Sequence, residues 1–228
     1  MKKKKFLLVV VLAIFSVCFA LASDLNFDAS ISAATRYIWR GQLLYEKFCL
    51  QPNLNFYFGN FTLNYWGSFP VEQNAYIESD FSFIASEKIP YLDFINIFTG
   101  FIIYNFPNNA SDLKNTLEIF GSINLNIFLA PYIKLFYDSV LGKGYYLETG
   151  ISNNLAINDN IQFNLYANAG YNFNQWAYDP SFTTLNVTEE FVYTLNNISL
   201  ILSATQLLSL NTQYNTDYFF MLGLKYSN

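Results

Sequence analysis

The chain has 228 residues, of which 20% are aromatic, 53% hydrophobic and only 13% charged, and its mean hydropathy is +0.19. With a formal net charge of −5, these proportions argue against a disordered chain, a charge-rich helical protein and a nucleic-acid binder. Histidine is absent, which removes the commonest general base and metal ligand, and with them Ser-His and Cys-His nucleophile pairs and ordinary zinc sites.

The N-terminus reads as a signal peptide over residues 1–22. Lys2, Lys3, Lys4 and Lys5 form a positive segment, residues 6–19 are almost uninterruptedly apolar, and Ala20-Leu21-Ala22 supplies a small-x-small cleavage site. Lipid attachment at Cys18 is the rival reading, and the bulky Val17 before it fits that poorly. Cleavage after Ala22 leaves residues 23–228 as one domain with 8 Lys and Arg against 17 Asp and Glu, a net charge of −9. Only Cys49 remains, so no internal disulfide staples this domain.

No run of 18 apolar residues follows the signal, so a membrane helix is not expected. Two-residue alternation recurs instead. Leu25, Phe27, Ala29, Ile31, Ala33 and Tyr37 stand against Asn26, Asp28, Ser30 and Ser32; later, Ile161, Phe163, Leu165, Ala167 and Ala169 stand against Gln162, Asn164, Tyr166 and Asn168. Such segments are strands with one greasy and one polar face. Twelve are predicted, at about 24–40, 48–58, 61–69, 75–86, 91–105, 115–124, 127–138, 144–153, 160–171, 186–196, 198–209 and 217–228. The gaps alternate between longer polar stretches, such as 41–47, 106–114 and 172–185, and tight ones, such as 59–60, 125–126 and 196–197. The gaps at 87–90 and 154–159 are long for the tight series. This layout predicts an all-β fold, a closed antiparallel up-and-down transmembrane β-barrel of about 12 strands, with long loops outside and short turns on the periplasmic side. A soluble sandwich is the competing fold. It would rarely set so many large apolar side chains on one face of every strand.

Strand ends carry candidate girdle aromatics facing the outer-membrane lipids: Tyr37, Trp39, Tyr65, Phe69, Tyr137, Tyr145, Tyr171, Tyr218 and Tyr226. At 35–41 the chain reads Thr-Arg-Tyr-Ile-Trp-Arg-Gly. This resembles the Ser-Arg-Tyr-Val-Trp-Arg-Gly signature near the start of the TorF-like family of outer-membrane porins, with looser resemblance at Gln51-Pro52-Asn53-Leu54. The resemblance implies an outer-membrane β-barrel porin and names no solute. Barrels of this kind present their last strand to the barrel-assembly machinery and usually end in an aromatic residue, whereas this chain ends Lys225-Tyr226-Ser227-Asn228.

Parity along the first predicted strand puts Tyr37 and Trp39 on the lipid face and Arg36 and Arg40, about 13 Å apart, inside. The other inward charges also fall near outer strand ends: Glu78, Asp80, Glu118, Lys134, Asp138 and Glu148. Three cations then share a level with five carboxylates, a ring that either filters small polar solutes by charge or plugs the lumen. A narrow porin is the first reading and a non-conducting scaffold or surface receptor the second. No catalytic, cofactor or metal site is assigned: paired carboxylates without histidine make a poor hydrolase, and no calcium-loop motif is present.

Overall fold

The computed structural model describes residues 26–72, 77–108 and 114–228. The predicted signal peptide lies outside them. Among the described residues, fourteen strands run in chain order: β1 (Asn26–Ala34), β2 (Tyr37–Trp39), β3 (Gln42–Tyr45), β4 (Cys49–Phe58), β5 (Phe61–Pro70), β6 (Glu78–Ile89), β7 (Leu92–Asn105), β8 (Asn115–Leu125), β9 (Tyr132–Asp138), β10 (Gly144–Ala156), β11 (Ile161–Phe173), β12 (Ser181–Leu195), β13 (Ile198–Ser209) and β14 (Asp217–Ser227). Twelve of them, β1 and β4 to β14, pair antiparallel in one closed barrel, and β2 and β3 form a separate hairpin. Each strand meets its sequence neighbour, and β1 closes the ring on β14 from Asp28 opposite Ser227 to Ala34 opposite Met221.

Alternation decides which face each side chain takes, because a pleated strand sends successive residues to opposite sides. Ile31, Phe81, Ile119, Leu200, Leu202, Leu222 and Leu224 are exposed on the outer surface, while Ser122, Asn164, Ser203 and Thr205 are buried on the lumen side. Most lumen groups pair with one another: Asn64 donates to Asn53 (2.7 Å) and Asn55 (2.8 Å), and Asn164 donates to Glu190 (2.8 Å). The seam is tied at its short-turn end by Lys225 Nζ to Asp28 Oδ2 (2.9 Å) and by Phe27 N–H donating to Asn228 Oδ1 (2.7 Å). Asn228 thus bonds the first strand.

All twelve predicted segments overlap a barrel strand, and five boundaries differ for physical reasons. The turns at 87–90 and 154–159 are shorter than expected, because β6 runs to Ile89 and β7 begins at Leu92 after Pro90-Tyr91, with Tyr91 at φ +68°, and β10 runs to Ala156. The predicted strand at 127–138 begins only at Tyr132. Leu129 and Ala130 have positive φ, and Ala130 N–H closes a turn on Ile127 O (2.9 Å). β12 starts at Ser181, within the stretch expected to be loop, because a bulge between Ala169 and Tyr171 turns the adjacent Thr183 and Thr184 both inward and interrupts the alternation.

The fifth difference changes the lumen. The predicted strand at 24–40 stops at Ala34, and the chain turns inward to form the β2–β3 hairpin. Its two-residue loop, Arg40 at φ +50° and Gly41 at φ +80°, has both φ positive, the combination of a type I′ turn. A side chain at Gly41 would sit 2.9 Å from Thr184 Cγ2, so the tip packs directly on the barrel wall.

Candidate functional site

The hairpin packs inside the wall on a cluster of Ala34, Tyr37 and Cys49, joined by Trp39, Leu44, Tyr45, Trp66 and Met221. Tyr37 is buried, with its ring 5.3 Å from that of Trp66. Trp39 lies against Tyr104 and Trp176 at 5.9 and 6.3 Å. The expectation that Tyr37 and Trp39 face lipid is therefore wrong: the parity argument assumed one continuous strand, and the break after Ala34 carries both rings into the lumen. Tyr65 also differs from its expected place at a strand end, since it sits in mid-β5 opposite Leu54 and Phe81. Of the remaining candidates, Phe69 pairs with Leu50 near the long-loop end. Tyr137 and Tyr145 pair at 4.6 Å, Tyr171 packs on Phe173 and Phe182, and Tyr218 packs on Phe220. Tyr226 packs on Phe27 at the opposite end.

The hairpin tip sets Arg40 at the centre of the narrowed lumen. Its Nη1 and Nη2 donate to Glu118 Oε2 and Oε1 at 2.7 and 2.8 Å, a two-pronged pair, and Nη1 also donates to Gln175 Oε1 at 2.6 Å. Glu118 is fully buried on β8 and accepts two further bonds, from Gln175 Nε2 (2.7 Å) and the Tyr104 hydroxyl (2.9 Å). The guanidinium carbon lies 4.4, 4.1 and 4.4 Å from the ring centroids of Trp39, Phe136 and Tyr146. Burial disfavours its charge, but attraction to Glu118 outweighs that and holds Arg40 above its ordinary pKa.

Gln175 reaches this clamp from the loop after β11. A short 3-10 turn, Gln175–Ala177, is pinned by Asn172, whose Oδ1 accepts from Gln175 N–H (2.7 Å) and whose Nδ2 donates to Gln175 O (3.1 Å), while Trp176 N–H donates to Gly142 O (2.8 Å). Asn174 and Trp176 both have positive φ, near +60°. Such conformations cost about 1–3 kcal/mol each for non-glycine residues and persist where the surroundings enforce them.

The other charged candidates divide among separate environments. Arg36 pairs with Asp217 at the long-loop end of β14 and lies 5.4 Å from the Tyr218 ring. Glu78 and Asp80 are buried side by side on β6. Asp138 accepts from Thr116 Oγ1 (2.7 Å) and Val140 N–H (2.9 Å), which fixes the adjoining loop. Lys134 Nζ lies 4.2 and 4.6 Å from the Phe120 and Phe136 rings, and Glu148, opposite it in register, accepts from the Tyr132 hydroxyl (2.8 Å). The eight residues expected to form one ring thus include a single tight pair, Arg40 and Glu118. Gln175, Tyr104 and Asp217, which complete the pairings, went unrecognised; the first two are uncharged and left no signal in a search for charges.

Two chambers adjoin the clamp. One, of about 340 Å³, is lined by residues including Phe98, Ser122, Asn124, Tyr132, Lys134 and Glu148. The other, of about 170 Å³, lies between the hairpin and β6–β7 and is lined by Trp39, Gln42, Leu44, Glu78, Tyr104, Phe106 and Trp176. At the rim, exposed Lys47 and Glu72 pair at 2.7 Å, and the ammonium hydrogen bond holds Glu72 below the usual carboxylate range.

No protein-family model matches the chain, and no curated protein matches it. Solved structures do. The KdgM porin, solved in complex with disordered oligogalacturonate, aligns with a TM-score of 0.56 at 12% identity, covering 89% of this chain and 99% of that one. The NanC porin aligns at 0.58 and 8%, covering 87% and 98%. An outer membrane channel from Pseudomonas putida F1 aligns at 0.55 and 7%, covering 89% and 95%. At these identities the likeness establishes the fold, a small twelve-stranded barrel of the kind found in outer-membrane porins.

Proposed function

We propose that the protein is a narrow outer-membrane porin for passive diffusion of small polar solutes, with the β2–β3 hairpin as its constriction. The observation that carries this reading is the Arg40–Glu118 clamp, which fastens an inward-folded hairpin to the opposite wall of a polar lumen. An internal loop held by one charge pair narrows a barrel whose wall is already complete, and rings of charged side chains select solutes by sign. The structural neighbours named as porins and as a channel support the reading, as does the resemblance of residues 35–41 to the TorF-like family. Residues 1–22 act as the export signal in this account, the outward aromatic and aliphatic side chains meet outer-membrane lipids, and β14 engages the barrel-assembly machinery. Arg36, Glu78, Asp80, Lys134, Asp138 and Glu148 line the route as separate charged stations.

The second reading, a non-conducting scaffold, is favoured by the enclosure of Arg40, whose side chain is 6% exposed among three rings. Liposome swelling separates the two. Refolded protein should admit small neutral and cationic solutes and exclude larger ones. Vesicles impermeable to all solutes, with the protein correctly inserted, would favour the scaffold.

A further inference from the structure

The smaller chamber is walled by four aromatic rings in a closed circuit. Trp39 meets Trp176 at 87° and Tyr104 at 75°, Phe106 meets Trp176 at 77°, and Tyr104 lies parallel to Phe106 within 12°; adjacent centroids are 5.9–6.4 Å apart. The rings of Trp39, Trp176 and the Tyr104–Phe106 pair therefore stand in nearly perpendicular planes around one corner. Aromatic faces are electronegative, and several of them around one point make a site for a desolvated cation.

The charges at this corner have the matching sign. Glu78 lines the chamber, and Asp80 stands directly opposite Tyr104 in the β6–β7 register. Asp80 is 6% exposed, its Oδ1 is buried without a hydrogen-bond partner, and among the described residues it takes part in no ion pair. The nearby Arg40 is paired with Glu118, and Glu78 and Asp80, adjacent and buried, hold one negative charge between them with a proton shared, so the local excess is a single negative charge. Trp176 holds a positive φ, and its indole Nε1 is buried without a partner, so neither backbone preference nor its own hydrogen bonding explains why the ring stands there. The chamber volume, about 170 Å³, is below the roughly 300–1,000 Å³ of pockets for drug-sized ligands, which limits an occupant to one small group.

From this geometry we infer that the chamber is a binding subsite for small organic cations of the alkylammonium class, held by Trp39, Trp176, Tyr104 and Phe106 and countered by Glu78 and Asp80. The inference rests on the porin reading insofar as the chamber must open to the outer solution. It sets a solute preference, because acidic sugars would meet the two carboxylates and an uncharged solute would forgo the attraction to the ring faces.

Intrinsic tryptophan fluorescence of the refolded protein tests it, with choline and tetramethylammonium as probes. 3,3-Dimethylbutan-1-ol is the neutral carbon isostere of choline, and galacturonate is the acidic comparison. Saturable binding of both ammonium probes is expected, with the neutral isostere weaker by about ten-fold. Trp176→Ala should weaken choline by a similar factor, Trp176→Phe should retain most of the affinity, and the double variant Glu78→Gln/Asp80→Asn, which removes the shared negative charge, should weaken choline while leaving the isostere unchanged. Equal binding of choline and its isostere, tighter binding of galacturonate, or unaltered choline affinity in folded Trp176→Ala would overturn the inference. Should Trp176→Ala fail the heat-shift gel test of folding, the double variant Glu78→Gln/Asp80→Asn decides on the same criteria. Binding is read without conduction, so a conducting barrel that ignores ammonium probes loses this subsite and keeps its porin reading, whereas a silent barrel that binds them does the reverse.

Discussion

Replacing Arg40 by alanine removes, among the described residues, the hairpin's only charged attachment to the far wall of the lumen. Three hydrogen bonds disappear, two to Glu118 and one to Gln175, together with guanidinium contacts to three rings. Glu118 keeps its bonds from Gln175 and Tyr104 but stays fully buried with its counter-charge gone. Removing one partner of a buried pair costs about 3–5 kcal/mol, chiefly because the other charge is left uncompensated. The barrel ladders contain none of these bonds, so the loss falls on the docked hairpin. Its docking equilibrium should shift by roughly two to three and a half powers of ten, at about 1.4 kcal/mol per power. Single-channel recording in a planar bilayer is the assay: Arg40→Ala should give larger or longer-lived open steps than the parent while keeping the folded gel mobility. Adding Glu118→Gln removes the orphaned charge, so the double variant should be less perturbed than the two singles added together, by about 0.5–3 kcal/mol of coupling. Identical conductance and heat stability in the parent and Arg40→Ala would refute the reasoning.

Three further outcomes follow from the fold. Ile31 is outward-facing on β1 and Ser32 inward, so Ile31→Arg should block stable insertion at a cost of about 2–4 kcal/mol near the midplane, whereas Ser32→Arg should insert; equal insertion efficiency at both sites would contradict the register. A methyl group at Gly170 would lie 1.8 Å from the Tyr146 hydroxyl, so Gly170→Ala should destabilise the folded barrel by about 1–3 kcal/mol in urea titration, while Gly121→Ala, with open space around it, should be near neutral. N-terminal sequencing of the mature protein should begin at Ser23, and recovery of a lipidated Cys18 would contradict that.

How far the sequence discloses the molecule depends on what alternation can and cannot register. It finds every barrel strand, because lipid outside and polar lumen inside sort side chains with a period of two. It misses the hairpin because Tyr37 and Trp39 resume the odd-numbered series of Ala29, Ile31 and Ala33 after the one polar position Thr35, so parity alone cannot tell a continuing strand from one that folds back. A signal was available in length. A strand over 24–40 would have 17 residues, whereas a tilted membrane strand needs about 9–11, and Gly41 directly after Arg40 is suited to the positive φ of a tight hairpin. The clamp was half legible: Arg40 and Glu118 were both selected as inward charges, but their pairing across 78 positions of sequence depends on the inward fold. Gln175 and Trp176 sat in a stretch expected to be external loop, and the bulge at Ala169/Tyr171 that brings β12 up beside them has no period-two signature.

The most direct measurement of the central claim is the conductance of refolded residues 23–228 and of the Arg40→Ala variant in the same planar bilayer. A narrow porin constricted by its own hairpin predicts small discrete steps for the parent and larger ones for the variant, both from protein that migrates as folded barrel. Silence from both, with folding and insertion verified, would contradict the claim.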